Sequence, residues 1–257
     1  MISKSRARLL RRLAARRMRE REGLALAEGP RVVREALRSP ARVLWTVVGA
    51  EYAGSEPGRG VLADCRNRGV EVELLPDREV TEFASTESPQ PVIACVSTPF
   101  AVRLPLSHGR YLMPLGVQIP GNLGTLIRSA WAFGLDGIVV PGGTVDPWNP
   151  KVVRASAGAV FHVPQIAAPG SAAGAAGDAM AGVNLLCADP AGVPADQVPE
   201  VGARDWVLVV GNETGGLPAH IVRRARAVSI PMRPGVDSLN VAVAGSILMH
   251  LLTRHTA

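Results

Sequence analysis

The stretch from residue 229 to 245 constrains the fold more than any other part of the chain. It reads SIPMRPGVDSLNVAVAG, so a short apolar segment ends at Pro231, a Pro/Gly loop follows, and apolar residues then continue to Leu252 at helical spacing. Ser238 is the predicted N-cap of this helix, because its hydroxyl can accept from a free backbone N–H. Asn240 would then lie one turn into the apolar face, where an unpaired amide costs about 1–3 kcal/mol. We therefore expect Asn240 to have a partner, unless it is only a polar cap.

Runs with the length of strands alternate with helical patterns along the chain, which is typical of an α/β protein. A small α/β domain is predicted at 1–96, a linker at 97–110, and a second α/β domain with a parallel sheet covered on both faces at 111–257. Predicted strands lie at 42–48, 70–75, 91–96, 111–117, 137–140, 183–188 and 206–210. Predicted helices lie at 4–22, 28–38, 60–68, 150–160 and 170–182, and another ends at Phe133 before Gly134.

Positive charge is concentrated near the N-terminus. Residues 1–40 contain twelve Arg or Lys and four Glu, whereas the whole chain carries a net charge of +6. Only Lys4 and Lys151 are lysines, and the arginines that make up the rest suit bidentate contacts with phosphate, although a GC-rich genome has the same effect. The asymmetry favours a basic surface for a polyanion such as RNA, and the alternative is a solvated helix face.

Several classes of protein are excluded by what the sequence lacks. Cys65, Cys95 and Cys187 lie far apart with no C-x-x-C and no flanking His cluster, so neither a zinc site nor a disulfide framework is predicted. No apolar run follows the basic N-terminus as a signal peptide requires, and the longest apolar run is too short to span a bilayer. We expect a cytoplasmic protein with no metal and no membrane partner.

Three loops share one design, in which an apolar strand runs into a Gly/Pro turn with polar residues and then into a helix. They lie at 118–124, 211–218 and 230–238. In open α/β sheets such turns gather at the carboxyl ends of the strands, where ligands bind. The first is neither G-x-G-x-x-G nor a Walker loop. Glu213 follows a buried strand, and it either caps the next helix or holds a cation or a donor in place.

These loops resemble the three motifs of the SpoU (TrmH) family of RNA ribose 2′-O-methyltransferases, within the SPOUT superfamily. NLGTLIR at 122–128 is similar to N-x-G-x-x-x-R, GNETGGL at 211–217 to G-x-E-x-x-G-L, and 230–232 with 238–241 to the third motif. Residues 1–96 resemble the ribosomal-protein-like RNA-binding domain often fused in front, with EGP at 28–30 and PQ at 89–90 in their usual places. Two positions depart from the pattern, since Ile119 replaces an acidic residue and Pro91 replaces a glycine.

The resemblance implies a SPOUT domain whose chain forms a deep trefoil knot, which composition and periodicity do not predict. It also implies a homodimer with the active site at the subunit interface, and S-adenosyl-L-methionine as the cofactor. The implied cofactor-binding residues are Val209, Gly211, Ile230, Met232 and Leu239. The implied catalytic residues are Asn122, Arg128, Glu213, Ser238 and Asn240.

The implied reaction is methylation of a ribose 2′-hydroxyl in RNA, and the two-domain layout favours 23S rRNA, at a housekeeping or an antibiotic-resistance site. The alternatives are a tRNA ribose 2′-O-methyltransferase and an inactive knotted RNA-binding protein. Arg128 matches the family's essential arginine, and because a guanidinium stays protonated in proteins we favour positioning over proton abstraction. Glu213 would hold Arg128 or Asn122. Ser238 and Asn240 would orient the cofactor and the nucleophile.

Overall fold

The computed structural model describes residues 2–86, 88–98, 106, 108–168, 183–198, 205–211 and 216–254. The chain divides into two compact units, of which the first contains Met1–Pro99 and Asp146–His162, and the second Phe100–Val145 and Val163–Ala257. A segment from the middle of the predicted second domain therefore belongs to the N-terminal unit. The predicted boundaries at 96 and 111 remain predictions.

Ten strands and ten α-helices are formed by the described residues. The strands are β1 (Leu24–Glu28), β2 (Val43–Gly49), β3 (Glu71–Leu75), β4 (Val92–Ser97), β5 (Arg110–Pro114), β6 (Gly137–Pro141), β7 (Gln165–Ala168), β8 (Asn184–Pro194), β9 (Trp206–Val210) and β10 (Arg226–Ser229). The helices are α1 (Lys4–Arg12), α2 (Arg16–Glu22), α3 (Pro30–Arg38), α4 (Ala50–Ala53), α5 (Glu56–Asn67), α6 (Asp77–Thr81), α7 (Pro120–Ala132), α8 (Pro150–Ala155), α9 (Ala219–Arg224) and α10 (Val241–Thr253).

The first unit is built on a four-stranded sheet in the order β1-β4-β2-β3. Strand β4 is antiparallel to β1 and β2, and β3 is parallel to β2. Leu10 and Leu13, from the end of α1, are fully buried in the same core cluster as Leu26 of β1 and Val47 of β2. Leu9, Leu10, Leu13 and Met18 recur at helical spacing in the basic segment, and its buried leucines pack on the sheet, while most of its charged residues, such as Lys4, Arg8 and Arg11, are exposed.

The basic segment at 4–22 is two helices rather than one, and a buried arginine explains the break. Arg19 is 3% exposed, and its Nη1 donates to the carbonyl oxygens of Leu13 and Ala14, both at 2.8 Å. Its Nε donates to Asp146 Oδ2 at 2.9 Å. The guanidinium therefore binds carbonyls left free where α1 ends, and it ties the segment 146–162 to the N-terminal helices.

The helix predicted at 28–38 starts later, because residues 24–28 form β1. Gly29 has φ of 88°, a conformation that strongly favours glycine, and α3 begins with Pro30 at its first position. Glu28 is 5% exposed, and its Oε2 accepts from the backbone N and the Oγ of Ser85, both at 3.0 Å. The helix predicted at 150–160 is shorter than expected. Helix α8 ends at Ala155, and a 3₁₀ turn follows at Ala159–Phe161.

The second unit contains a six-stranded sheet in the order β10-β8-β9-β5-β6-β7, in which every pairing is parallel. All five residues of β9 are buried, as the continuous apolar run predicts for a central parallel strand. The parallel-sheet α/β prediction is confirmed. Gly134 has φ of 66° and follows α7, so the predicted C-terminal glycine of that helix is confirmed as well.

Helices α7 and α10 pack closely side by side. Ser129 Oγ lies 2.7 Å from Ser246 Oγ, and one turn further along both helices the rings of Phe133 and His250 are 5.3 Å apart. A Cβ added to Gly245 would lie 2.5 Å from Leu126 Cδ2, so a side chain there would displace the buried Leu126 side chain. The contacts advance in the same direction along both helices, which are therefore parallel and carry the first and third motifs at neighbouring ends.

Two of the predicted segments fall outside the described residues. These are the small-residue helix at 170–182 and most of the linker at 97–110. Within the described part of the chain, no helix combines the length and the apolar character needed to cross a membrane.

Candidate active site

A cavity of about 250 Å³ lies in the second unit, at the carboxyl ends of β9 and β10 and beside the part of β8 that follows its pairing with β9. The second and third motifs, residues 188–190 of β8 and the first turns of α10 form its walls. The residues that line it are Ala188, Asp189, Pro190, Val210, Gly211, Gly216, Leu217, Val228, Ser229, Ile230, Met232, Ser238, Leu239, Val241, Ala244 and Leu248. This is the position in a parallel sheet where ligands are expected.

Four of the five residues implied to bind the cofactor line the cavity, namely Gly211, Ile230, Met232 and Leu239. Val209 does not line it. Its side chain is fully buried in the core of the second unit, because side chains alternate along β9 and its neighbour Val210 points to the other face. Ser238, implied to be catalytic, also lines the cavity.

Gly211 is the first residue after β9, where the chain turns over the cavity. A Cβ added there would lie 2.9 Å from Leu217 Cδ2 and 3.1 Å from the carbonyl oxygen of Gly216. Residues 216 and 217 therefore pack against Gly211, and a side chain at 211 would displace the Leu217 side chain and shift the Gly216 carbonyl by a few tenths of an ångström. Residues 212–215, with Glu213 among them, lie outside the described residues.

The prediction that Ser238 caps the last helix is wrong. Helix α10 begins at Val241, and Asn240 is its N-cap, with Oδ1 accepting from the backbone N of Ala242 at 2.9 Å and of Val243 at 3.4 Å. Asn240 is exposed rather than inside an apolar face. The partner expected for its amide is present, because Nδ2 donates to Asn122 Oδ1 at 3.3 Å. The helix begins later than predicted because residues 230–240 form a loop, with a turn at 234–235, instead of the first helical residues.

The apolar pattern of the last helix predicts a buried face formed by Leu239, Val243, Ile247, Leu251, Val241, Leu248 and Leu252. The structure buries Val241, Leu248 and Leu252 as predicted, whereas Val243 is 46% exposed.

Arg128 lies on the exposed side of α7. It forms no hydrogen bond or ion pair within the part of the chain that the structure describes, so its guanidinium can bind a ligand. Asn122 lies in the first turn of the same helix and contacts Asn240. The structure therefore joins the first and third motifs through two amides, and it leaves Arg128 pointing to solvent.

Sequence reasoning missed one ionisable group of the site. Asp189 lines the cavity next to Ala188 and Pro190, and no motif marked it. The one signal for it was its place just after the apolar run at 183–188, where a strand was predicted to end. Cys187, on the same strand, is fully buried. This burial raises the pKa of its thiol, so the thiol remains neutral.

The lining fits an adenosine-type cofactor. Apolar side chains such as Leu217, Ile230 and Leu248 offer surfaces for a flat ring, while the loop backbone around Gly211 and Ile230 offers hydrogen-bonding groups for its edges. Within the described residues, no group of three or more His, Cys, Asp or Glu side chains could hold a metal ion.

Comparison with known proteins places this geometry in a family. The model of the SpoU rRNA Methylase family matches residues 110–250, and the model of the MRM3-like substrate binding domain matches residues 4–94. The Bacillus subtilis 23S rRNA (guanosine(2553)-2′-O)-methyltransferase RlmP is 31% identical over 94% of this chain and 93% of its own. The Streptomyces viridochromogenes 23S rRNA (uridine(2479)-2′-O)-methyltransferase is 30% identical over 94% of this chain and 86% of its own.

Solved structures agree with this assignment. The AdoMet-bound rRNA methyltransferase from Sinorhizobium meliloti superimposes with a TM-score of 0.82 at 27% identity, covering 100% of this chain and 97% of that one. The SpoU methyltransferase AviRb from Streptomyces viridochromogenes, in complex with AdoMet, gives a TM-score of 0.78 at 27% identity and covers 97% of each chain. The family model spans more than half of the chain and includes the three predicted loops, two of which contribute residues to the cavity, so the protein belongs to the SpoU rRNA methylase family.

Proposed function

We propose that this protein transfers a methyl group from S-adenosyl-L-methionine to a ribose 2′-hydroxyl of 23S rRNA in the cytoplasm. The observation that carries the proposal is the cavity at the carboxyl ends of β9 and β10, walled by the second and third motifs of a methyltransferase family. The names of the relatives support the substrate, since RlmP and the Streptomyces enzyme are 23S rRNA 2′-O-methyltransferases.

Binding of the cofactor falls to the loops at 210–211, 216–217 and 228–232 and to the start of α10. In this assignment the apolar lining holds the adenine ring, and the glycine at 211 allows the backbone to approach it closely. When bound, S-adenosylmethionine supplies an electrophilic methyl group. The task left to the protein is to exclude water and to align the ribose oxygen with that group.

Orientation of the ribose falls to the polar residues at the neighbouring ends of α7 and α10. The hydrogen bond between Asn240 and Asn122 fixes both amides beside the helix N-termini. Arg128 lies exposed two turns along α7, and we assign it to a phosphate or to the 2′-oxygen of the RNA. Ser238 lines the cavity and would orient the nucleophile, and Glu213 would steady Arg128 or Asn122.

RNA binding by the first unit is assigned to one side of α1. Lys4, Arg8 and Arg11 recur at helical spacing opposite the buried Leu10, and all three are exposed. Most other cations of α1 and α2 are already paired with carboxylates, as Arg6 is with Glu71. These three residues, the α1 stripe, have no carboxylate partner among the described residues. The match to a substrate-binding domain at 4–94 supports the assignment.

The quaternary structure and the topology are assigned by analogy with the family. We propose a homodimer, in which a second copy covers exposed apolar side chains of the motif helices, such as Trp131 (43% exposed) and Val243 (46% exposed). We also propose that the third-motif segment is threaded to form a trefoil knot. Sedimentation equilibrium tests the dimer, and a monomer at micromolar concentration would contradict it.

The nucleotide has to be found by experiment, because the relatives' names give guanosine, adenosine and uridine. The test is to map ribose methylation in 23S rRNA from cells with and without the gene, and to repeat the modification with purified protein, cofactor and rRNA. Loss of one 2′-O-methyl group, restored in vitro, is expected. Methylation confined to tRNA, or no methylation despite cofactor binding, would overturn the rRNA assignment. A resistance role predicts, in addition, that the gene protects cells from a ribosome-targeting antibiotic.

A further inference from the structure

Asp189 is the only ionisable side chain among the described residues that line the cavity. Around it the lining is apolar, apart from two hydroxyls. Ser229 Oγ donates to the carbonyl oxygen of Gly192 at 2.8 Å, and Ser238 lines the other side. A carboxylate in this lining can only accept hydrogen bonds, so it would bind a ligand group that donates one.

Asp189 lies on β8 just after the point where this strand stops pairing with β9. Strand β8 pairs with β9 only as far as Cys187, opposite Val209. Its pairing with β10 then skips from Cys187 to Val193, so residues 188–192 leave the ladder as a bulge. A Cβ added to Gly192 would lie 2.6 Å from the carbonyl carbon of Ala227, so the end of the bulge is pressed against β10.

One oxygen of Asp189 fixes the side chain and the other can still accept a hydrogen bond. Oδ1 accepts from the backbone N of Ala191 at 2.8 Å, which closes a turn inside the bulge. Oδ2 has no hydrogen-bond partner within the described residues. The side chain is thus held by its own loop, and one acceptor remains at the wall of the cavity.

We infer that Asp189 Oδ2 accepts a hydrogen bond from a ribose hydroxyl of the cofactor and thereby selects an intact ribonucleoside. In dinucleotide-binding folds with a parallel sheet, an acidic residue accepts a hydrogen bond from a ribose hydroxyl of the ligand in the same way. This inference rests on the proposed function, since it takes the cavity to be the S-adenosylmethionine site. It makes Asp189 a specificity-determining residue that takes no part in the transfer itself.

The test compares the full-length protein with Asp189→Asn by calorimetry. The asparagine keeps an acceptor for the Ala191 N–H but loses the charge and one acceptor. Asp196→Asn is the matched control, because Asp196 is exposed in a 3₁₀ turn just past β8 and does not line the cavity. The ligands are S-adenosylmethionine, S-adenosylhomocysteine, and S-adenosylhomocysteine that lacks both ribose hydroxyls. Thermal unfolding shows whether each variant is folded.

We expect Asp189→Asn to lower the affinity for both natural ligands by about 10- to 100-fold, the range for a lost charge-assisted hydrogen bond. Wild type and Asp189→Asn should bind the dideoxy ligand equally, and the control should match wild type throughout. A loss that persists with the dideoxy ligand, a loss confined to the cationic S-adenosylmethionine, or no loss at all overturns the inference. If the wild-type protein binds neither natural ligand, the proposed function itself fails.

Discussion

Asn240 Nδ2 donates a hydrogen bond to Asn122 Oδ1 at 3.3 Å, joining two residues that are 118 positions apart in the sequence. The same Asn240 caps α10 through Oδ1. One amide thus uses its oxygen for the helix and its nitrogen for the first motif, a combination that a carboxylate cannot provide, because it can only accept hydrogen bonds. The pair ties the N-terminus of α10 to the first turn of α7, where the RNA ribose is proposed to lie.

Replacing Asn240 separates its two tasks. Asn240→Asp keeps the capping oxygen and loses the donor to Asn122, whereas Asn240→Ala loses both. We expect the alanine variant to lose about 0.5–2 kcal/mol of unfolding free energy and the aspartate variant to lose little. Methylation should fall strongly in both. Urea denaturation and single-turnover methylation measure the two effects, and an aspartate variant with wild-type activity would show that the contact with Asn122 is dispensable.

A side chain at Gly211 should weaken cofactor binding through the loop it displaces. Its Cβ would meet Leu217 and the backbone of Gly216, and both of those residues line the cavity. We expect Gly211→Ala to reduce S-adenosylmethionine affinity at least tenfold in calorimetry. Unchanged binding by Gly211→Ala would mean that the cofactor does not depend on this loop.

The α1 stripe should account for much of the salt dependence of RNA binding. Each lost phosphate contact lowers the log–log salt slope by roughly 0.7–0.9. Replacing Lys4, Arg8 and Arg11 with Gln should therefore lower the slope by roughly two to three and leave cofactor affinity unchanged.

The control for the stripe is Arg16, Arg21 and Arg38 replaced together by Gln. It removes the same charge from arginines already paired with Glu20, Glu22 and Glu35. Equal effects of the two triple variants on the slope would show that only net charge matters, and the stripe assignment would be wrong.

Breaking the buried pair between Arg19 and Asp146 should destabilise the first unit. Both side chains are at least nine-tenths buried, so removing one leaves an uncompensated charge, which costs about 3–5 kcal/mol. We expect Asp146→Ala to lower the unfolding free energy by this amount, measured by urea denaturation. An exposed pair such as Arg16 and Glu20 is the comparison, and Glu20→Ala should cost at most about 1 kcal/mol. Equal small losses would contradict the role of Arg19.

Arg128→Lys distinguishes positioning from proton abstraction. If Arg128 only positions the RNA, the lysine keeps the charge but loses the planar fork. Activity should then fall yet remain measurable, and its rise with pH should keep the wild-type midpoint. If Arg128 is the base, a lysine with an ordinary pKa of about 10.4 should move that midpoint downward. Single-turnover methylation against pH, for both proteins, is the measurement, and a downward shift would refute the positioning role.

Residues 146–162 belong to the first unit, and this limits what a deletion can test. A variant lacking residues 1–96 would lose Arg19 and Glu28 and would leave Asp146 without its buried partner. Point substitutions in the full chain are therefore the cleaner test of how the two units divide their work.

The parallel α/β class and the family follow from the sequence alone, as do the two loops at 211–218 and 230–238 that contribute residues to the cavity. Strand β9 was predicted at its observed bounds, because a continuous apolar run flanked by loops leaves few alternatives. Gly134 was assigned correctly because a positive φ after a helix favours glycine. The bounds of β9 and the glycine after α7 depend on residues that are close in sequence, so hydrophobic periodicity and turn-forming residues predict them.

Other features of the site were set by contacts that form only in the folded chain. Asn240, not Ser238, caps α10, and the same amide contacts Asn122, which is 118 positions away in the sequence. Segment 146–162 joins the N-terminal unit through Arg19, and Asp189 reaches the cavity through a bulge that no sequence pattern marked. Each of these depends on a contact between residues distant in sequence. Local sequence propensity does not predict such contacts, because they stabilise the protein only after folding has brought the two partners together.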